Sequence, residues 1–204
     1  MRLYFVRHGE SEANLLHVIS NRDLPHGLTA NGCRQAQCLA QALLQAGVTR
    51  IYTSPIRRAR QTADILAGVL QVDVVETPAL REYDTGILEG RSDAAAWDQF
   101  WQVRQDWIAH HWWESQPAQG ESFLDIQARF LPFIESLVEK TPGQQGNLIL
   151  VGHGGLYTCM LPQILVNITL EFASRQPFPN TGYVLVEQRA TGLVCLEWCG
   201  RALI

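Results

Sequence analysis

Short, strongly apolar runs alternate along the chain with amphipathic segments, and this alternation is the tightest constraint on its fold. Leu3-Tyr4-Phe5-Val6 carries no charged residue, which suits a strand buried on both faces. Thr29 is placed to cap a helix that runs to about Ala46, with Leu39, Leu43 and Leu44 on one face and Gly47 as its stop. Arg50-Ile51-Tyr52-Thr53 reads as a second strand. Ser54 caps the next helix, with Pro55 at its first position and Ile65, Leu66 and Val69 on its apolar face. Val72-Asp73-Val74-Val75 gives a third strand, and Ser122 to Glu139 a long amphipathic helix. Asn147 to Val151 gives a fourth strand that runs into Gly152-His153-Gly154-Gly155 and a further helix. Gly182 to Glu187 and Leu193 to Trp198 read as a hairpin with a Gly-containing turn. Strands alternating with helices predict a three-layer α/β/α sandwich with a mostly parallel central sheet, and the hairpin predicts one antiparallel edge.

A chain of 204 residues suits one domain spanning 1–204 with its own core. One stretch stands apart, a helical, cap-like insertion at about 91–120. It holds five of the six tryptophans, with Phe100 among them. Core packing, a lid over a site and a partner surface all suit such an aromatic face. A homodimer is therefore open to this chain.

Charge and cysteine usage remove several function classes. The net charge of −4 argues against general nucleic-acid binding, which calls for a basic face. The most apolar stretch, Leu148 to Val166, is broken by His153, three glycines and Pro162, so it makes a poor membrane span. Arg7, His8 and Glu10 follow the first apolar run too closely for an export signal. Five cysteines without a regular framework suit free thiols in a reducing compartment, and the expected location is the cytoplasm. No clustered His, Cys, Asp or Glu set has the spacing of a metal site, so no metal and no cofactor are expected.

Four segments carry residues suited to chemistry, and each follows a strand, where α/β sheets place their sites. Arg7-His8-Gly9 offers a fork of donors for phosphate oxygens, an imidazole nucleophile and a glycine that lets an anion approach. Taken alone, His8 also reads as a structural histidine. Ser54-Pro55-Ile56-Arg57-Arg58-Ala59-Arg60 puts arginines in a first helical turn, against the helix dipole. That local conflict is expected where an anion binds, although a solvated basic turn has the same composition. Glu82-Tyr83-Asp84 lies in an acidic, Gly-punctuated loop that could hold a proton donor, with Glu10 and Asp84 as the next candidates. Gly152-His153-Gly154-Gly155 does not continue into a dinucleotide fingerprint, because Tyr157 stands where the third glycine would be.

In combination these segments resemble the histidine phosphatase superfamily, also called the phosphoglycerate-mutase-like family. The resemblance runs from Arg7-His8-Gly9 through Ser11, Asn14, Leu28-Thr29 and Gly32. It continues through Ser54, Arg58-Ala59, Gln61-Thr62-Ala63, Glu82, Gly86, Glu89-Gly90, Gly120-Glu121-Ser122 and Gly152-His153-Gly154, over about residues 2–160. It implies His8 as nucleophile, His153 as the second histidine of the phosphate pocket, Arg7 and Arg58 as the clamp on the phosphoryl oxygens, and Glu82 as general acid. It also implies Asn14, Ser11 and the Gly154 amide as further substrate contacts. Arg58 rather than Arg57 is implied because it precedes Ala59. Leu88 departs from the family's pattern, in which an aromatic residue often precedes the second Glu-Gly.

The implied activity is metal-independent hydrolysis of small-molecule phosphate esters through a phosphohistidine. A bisphosphoglycerate-dependent phosphoglycerate mutase and a non-catalytic phospho-ligand binding module are the alternatives. The mutases of this family usually carry a longer, more basic insertion, whereas the only arginines at 91–120 are Arg91 and Arg104. The presence of His8 itself argues against the binding module.

Overall fold

The computed structural model of the chain describes residues 1–22, 24–139 and 146–204. Its strands are β1 (Arg2–Arg7), β2 (Val48–Thr53), β3 (Asp73–Glu76), β4 (Asn147–Gly152), β5 (Tyr183–Arg189), β6 (Gly192–Trp198) and β7 (Arg201–Ala202). Its helices are α1 (Glu12–Leu16), α2 (Ala30–Ala42), α3 (Arg57–Leu70), α4 (Ala94–Gln105), α5 (Phe123–Glu139), α6 (Gly154–Met160) and α7 (Leu170–Arg175). The seven strands form one sheet in the order β3-β2-β4-β1-β5-β6-β7. The first four are parallel, and β5, β6 and β7 add the antiparallel edge.

The two-residue period of a strand divides β1 between two cores. Leu3 and Phe5 point into a cluster with Ile126, Phe130 and Ile134 of α5 and Leu156 and Tyr157 of α6. Tyr4 and Val6 point the other way, into a cluster with Leu39 of α2 and Ala59, Ala63 and Leu66 of α3. Helices therefore cover both faces, which is why the run could be apolar throughout. No described helix is long and apolar enough to cross a membrane.

Several predicted boundaries shift. Thr29 caps α2 as expected, accepting from the Gly32 amide, but α2 ends at Ala42 and leaves Leu44 47% exposed. The helix after β2 starts at Arg57 with Ile56 in the cap position, not at Pro55. Two residues before that cap, the Ser54 hydroxyl accepts from the Ile56 amide at 3.2 Å and also faces His153 at 2.9 Å. The aromatic segment is helical only in part. Asp93 caps α4, a π turn spans Asp106–His110, and His111 then takes a left-handed conformation that ends the helix. Trp107 is fully buried in the core, whereas Trp101 and Trp112 are exposed.

The loop after β1 rides directly on α2. A Cβ on Gly32 would stand 2.0 Å from the Glu10 carbonyl oxygen, and one on Gly9 would stand 2.6 Å from the Gly32 carbonyl. Both obstacles are backbone, so neither can swing aside. Gly32→Ala is expected to cost about 1–3 kcal/mol through overpacking, and to lower Tm by several degrees. Gly68→Ala, at a helical position with nothing within 4 Å of the added methyl, is expected to gain about 0.5–1 kcal/mol. Thermal melts of the two variants check the contrast. Equal melting temperatures would show that the loop does not depend on this close approach.

Candidate active site

The parallel pairing of β1 with β4 sets Arg7 opposite Gly152, so the residues that follow, His8 and His153, emerge side by side. Their rings are 5.2 Å apart, and both are buried. The His8 amide also donates to the Gly152 carbonyl at 3.1 Å, fixing the two loops together. β2, on the other side of β4, delivers the start of α3 and hence Arg58.

The hydrogen bonds assign a tautomer to each histidine. His8 Nδ1 lies 2.7 Å from the Gly9 carbonyl, which can only accept, so Nδ1 carries the proton. Arg58 Nε donates to His8 Nε2 at 2.9 Å, so Nε2 presents a lone pair. Arg58 Nη2 stands 3.2 Å from His153 Nδ1, and His153 Nε2 stands 2.9 Å from the Ser54 hydroxyl. His153 is thus neutral, with its proton on Nε2. Burial, followed by the charges of Arg58 and Arg7, holds the pKa of His8 well below the usual imidazole value. Burial and Arg58 do the same for His153. Burial brings Arg58 down to about 10, which leaves it a cation at neutral pH. Its Nη1 is buried without a hydrogen-bond partner among the described residues. A buried, unpaired charged donor is costly, and an anion would satisfy it.

A cleft of about 380 Å³ opens above these groups, lined by Arg7, His8, Asn14, Arg58, Glu82 and Gly154 among others. Arg7 is steadied by a 2.6 Å bond from Nη1 to the Phe178 carbonyl. Asn14 Oδ1 is occupied by the Ser11 amide and hydroxyl, each at 3.1 Å, and by Asn180 Nδ2 at 3.3 Å. This leaves the Asn14 amide group as the donor for the cleft. Ser11 is fully buried behind Asn14 and does not line the cleft, so it orients the Asn14 side chain rather than facing the cleft itself. His153 is likewise fully buried and reaches the cleft only through Arg58 and its ring contact with His8.

Glu82 enters from the loop after β3. It accepts from the Gly155 amide at 2.9 Å and the Tyr83 amide at 3.2 Å. A Cβ on Gly155 would sit 2.8 Å from both carboxylate oxygens, so glycine is required for this approach. Burial raises the Glu82 pKa, while the Gly155 hydrogen bond and the charges of Arg58 and Arg104 pull it back. The loop is held by Glu89, which accepts from the Asn21 and Arg22 amides at 2.9 and 2.7 Å and from Thr85 Oγ1 at 3.1 Å. Asp84 is engaged by Arg22 at 2.8 Å, and Glu10 by Thr29 at 2.7 Å, so neither alternative acid stands free. Among the described residues, Glu82 is the only carboxylate lining the cleft, against Arg7, Arg58 and Arg104. No described group of three or more His, Cys, Asp or Glu residues could hold a metal ion.

Sequence reading missed Asn180, whose Nδ2 also donates to the His8 carbonyl at 3.1 Å. Pro179-Asn180-Thr181-Gly182 reads only as a turn. It also missed Arg104, Trp97, Phe100 and Trp101 as lining residues; their signal, the clustered aromatics, left their direction open.

Comparison with known proteins gives the chain its family. A protein named "Probable phosphoglycerate mutase GpmB" from Proteus mirabilis is 36% identical over 170 residues, covering 81% of this chain and 75% of its own. The alpha-ribazole phosphatase of Shigella flexneri is 26% identical, with a TM-score of 0.81 over 100% of this chain and 98% of that one. A mycobacterial glucosyl-3-phosphoglycerate phosphatase, solved with VO3, is 25% identical, with a TM-score of 0.79 over 97% and 98% of the two chains. The model of the histidine phosphatase superfamily (branch 1) matches residues 3–200. With this match the chain belongs to the histidine phosphatase superfamily.

Proposed function

We propose that this protein is a phosphomonoesterase that hydrolyses small phosphorylated metabolites in two steps through a phosphohistidine on His8. One observation carries the reading. The His8 Nε2 lone pair faces a buried arginine whose Nη1 lacks a partner. A phosphoryl group placed there would draw Arg58 onto its oxygens and free the lone pair for in-line attack. Arg7, the Asn14 amide and the Gly154 amide would share the remaining charge. Glu82 would protonate the leaving alcohol and then accept a proton from the water that cleaves the phosphohistidine. Arginines supply the positive charge, so the reaction runs without a metal ion. The whole chain works as one domain with α4 as one wall of the cleft, in a reducing cytoplasm where its five cysteines stay free.

The name of the Proteus relative favours a second reading, phosphoglycerate mutase. The cleft favours hydrolysis: its outer wall is aromatic, and α4 brings it one arginine, Arg104. Incubation with 3-phosphoglycerate and a chelator, with and without 2,3-bisphosphoglycerate, should release phosphate without rapid formation of 2-phosphoglycerate. Cofactor-dependent isomerisation with little free phosphate would select the mutase, and a rate lost to the chelator would overturn the metal-free mechanism.

Rapid quench with labelled ester should place the label on His8. The adduct should be acid-labile and comparatively base-stable, as a phosphoramidate is. Label retained by a His8→Ala variant would refute the assignment.

The pKa directions predict a pH signature. His8 must be neutral, and its pKa lies below the usual 6.5, so the acid limb falls low. Glu82 must be protonated in the first step, and its pKa lies above the usual 4.5. The acid contribution is therefore complete below that raised value and fades as pH rises through it. Glu82→Gln should slow an alkyl phosphate by roughly a hundredfold at acid pH. The ratio of wild-type to variant kcat/KM should shrink as pH rises, and the ratio cancels the titration of the substrate itself. A ratio flat with pH would make Glu82 a positioning group.

A further inference from the structure

The cleft has two chemically different parts. Its floor carries Arg7, His8, Arg58 and Glu82, whereas its outer part is an apolar rim built from Val18, Ile19, Trp97, Phe100 and Trp101. The rim is one packed unit. Ile19 packs with Ala96, Trp97 and Phe100. Phe100 meets Trp97 and Trp101 edge-on at 5.2 and 5.1 Å and stacks on Tyr83 at 5.7 Å. The Trp101 ring lies parallel to Trp97 with centroids 6.2 Å apart. Hydrogen bonds tie this wall to the residues beside α1: Trp97 Nε1 donates to the His17 carbonyl at 3.0 Å, and the Ile19 amide to the Arg91 carbonyl at 2.8 Å. The rim is therefore formed in advance and needs no ordering by a ligand.

Trp101 is nonetheless 53% exposed, at the mouth of the cleft. A large aromatic surface left open beside a phosphate site is suited to contact with the ligand. Arg104 stands over the Trp101 ring at 5.6 Å and also lines the cleft, which backs the ring with a cation. The volume of about 380 Å³ lies at the small end of small-molecule pockets, roughly 300–1,000 Å³. It suits a phosphate with one compact group attached. A short, fully polar acid or polyol would leave the aromatic rim unfilled.

We propose that the substrate is the phosphate ester of an alcohol bearing a flat, largely apolar ring, and that Trp97, Phe100 and Trp101 determine specificity by holding that ring above His8. This rests on the phosphatase reading and adds the class of leaving group. The ring displaces water from the rim, and the gain appears mainly in KM because the rim does not touch the reacting atoms.

The test compares 2-phenylethyl phosphate with glycerol 1-phosphate, two alkyl esters with the same need for a proton on the leaving oxygen. The phenyl ester should be favoured at least tenfold in kcat/KM, chiefly through KM. Trp101→Ala should reduce that preference to within about threefold. Trp112→Ala, at an exposed tryptophan outside the cleft lining, should preserve it. Equal rates for the two esters, or a preference that survives Trp101→Ala, would overturn the proposal. Binding of both esters to the inert His8→Ala protein, read by tryptophan fluorescence, separates this failure from failure of the phosphatase reading. Tighter binding of the phenyl ester should persist there whatever the reaction, and equal binding would defeat the ring subsite alone.

Discussion

The site depends on a buried cation held against a neutral base. Arg58 Nε donates to His8 Nε2 at 2.9 Å, Nη2 stands 3.2 Å from His153, and Nη1 has no partner. A guanidinium taken out of water needs a compensating anion or a full set of acceptors. Here it has two neutral imidazoles. Burial first, and then the repulsion of a second cation by Arg58, holds the pKa of both histidines well below the usual imidazole value. Among the described residues Arg58 is thus left short of acceptors, which an anion in the cleft would supply.

Everything around this pair acts to hold it. Thr62 of α3 binds both the Gly9 amide at 3.1 Å and the Arg58 carbonyl at 2.8 Å, joining the loop of His8 to the helix of Arg58. Asn180 secures the His8 carbonyl and the Asn14 side chain from the far end of the sequence. Glu82 is brought in on a separate loop, braced by Glu89 and by the Arg129–Glu121 pair, whose two bonds of 2.8 and 3.0 Å are largely screened from solvent. Bidentate, partly buried pairs of this kind fix geometry better than exposed ones. The exposed Arg175–Glu171 pair contributes little by comparison.

The aromatic segment divides its labour along its length. Trp107 closes the core, and its Nε1 donates to the Ser115 carbonyl at 2.7 Å, so burial leaves no donor unpaired. One to two helical turns earlier, Arg104, Trp101 and Phe100 face the cleft instead. The π turn at Asp106–His110 follows directly, with Asp106 held by Ser115 at 2.6 Å and Gln102 at 2.9 Å. A widened turn is where a helix can redirect side chains.

Much of this was legible before any coordinates. The charge-free run Leu3–Val6 specified a strand buried on both faces, and the order of strands and helices specified a parallel sheet with an antiparallel edge. Arginines placed against a helix dipole at 57–60 pointed to an anion-binding role, and the resemblance named His8, Arg58, His153 and Glu82, four residues that the fold brings together. Those inferences rest on local chemistry and on order along the chain, which a sequence carries directly. Tertiary structure alone decided the rest. It made the Ser54 hydroxyl a partner of His153 as well as of the Ile56 amide, placed Ser11 behind Asn14, and brought Asn180 under His8 from 172 residues away. It also aimed Trp101 and Arg104 into the cleft while sending Trp107 into the core. A side chain's partner depends on which distant backbone packs beside it. The choice between two faces of one aromatic helix is made by the surface that the helix meets, and neither is written in local sequence.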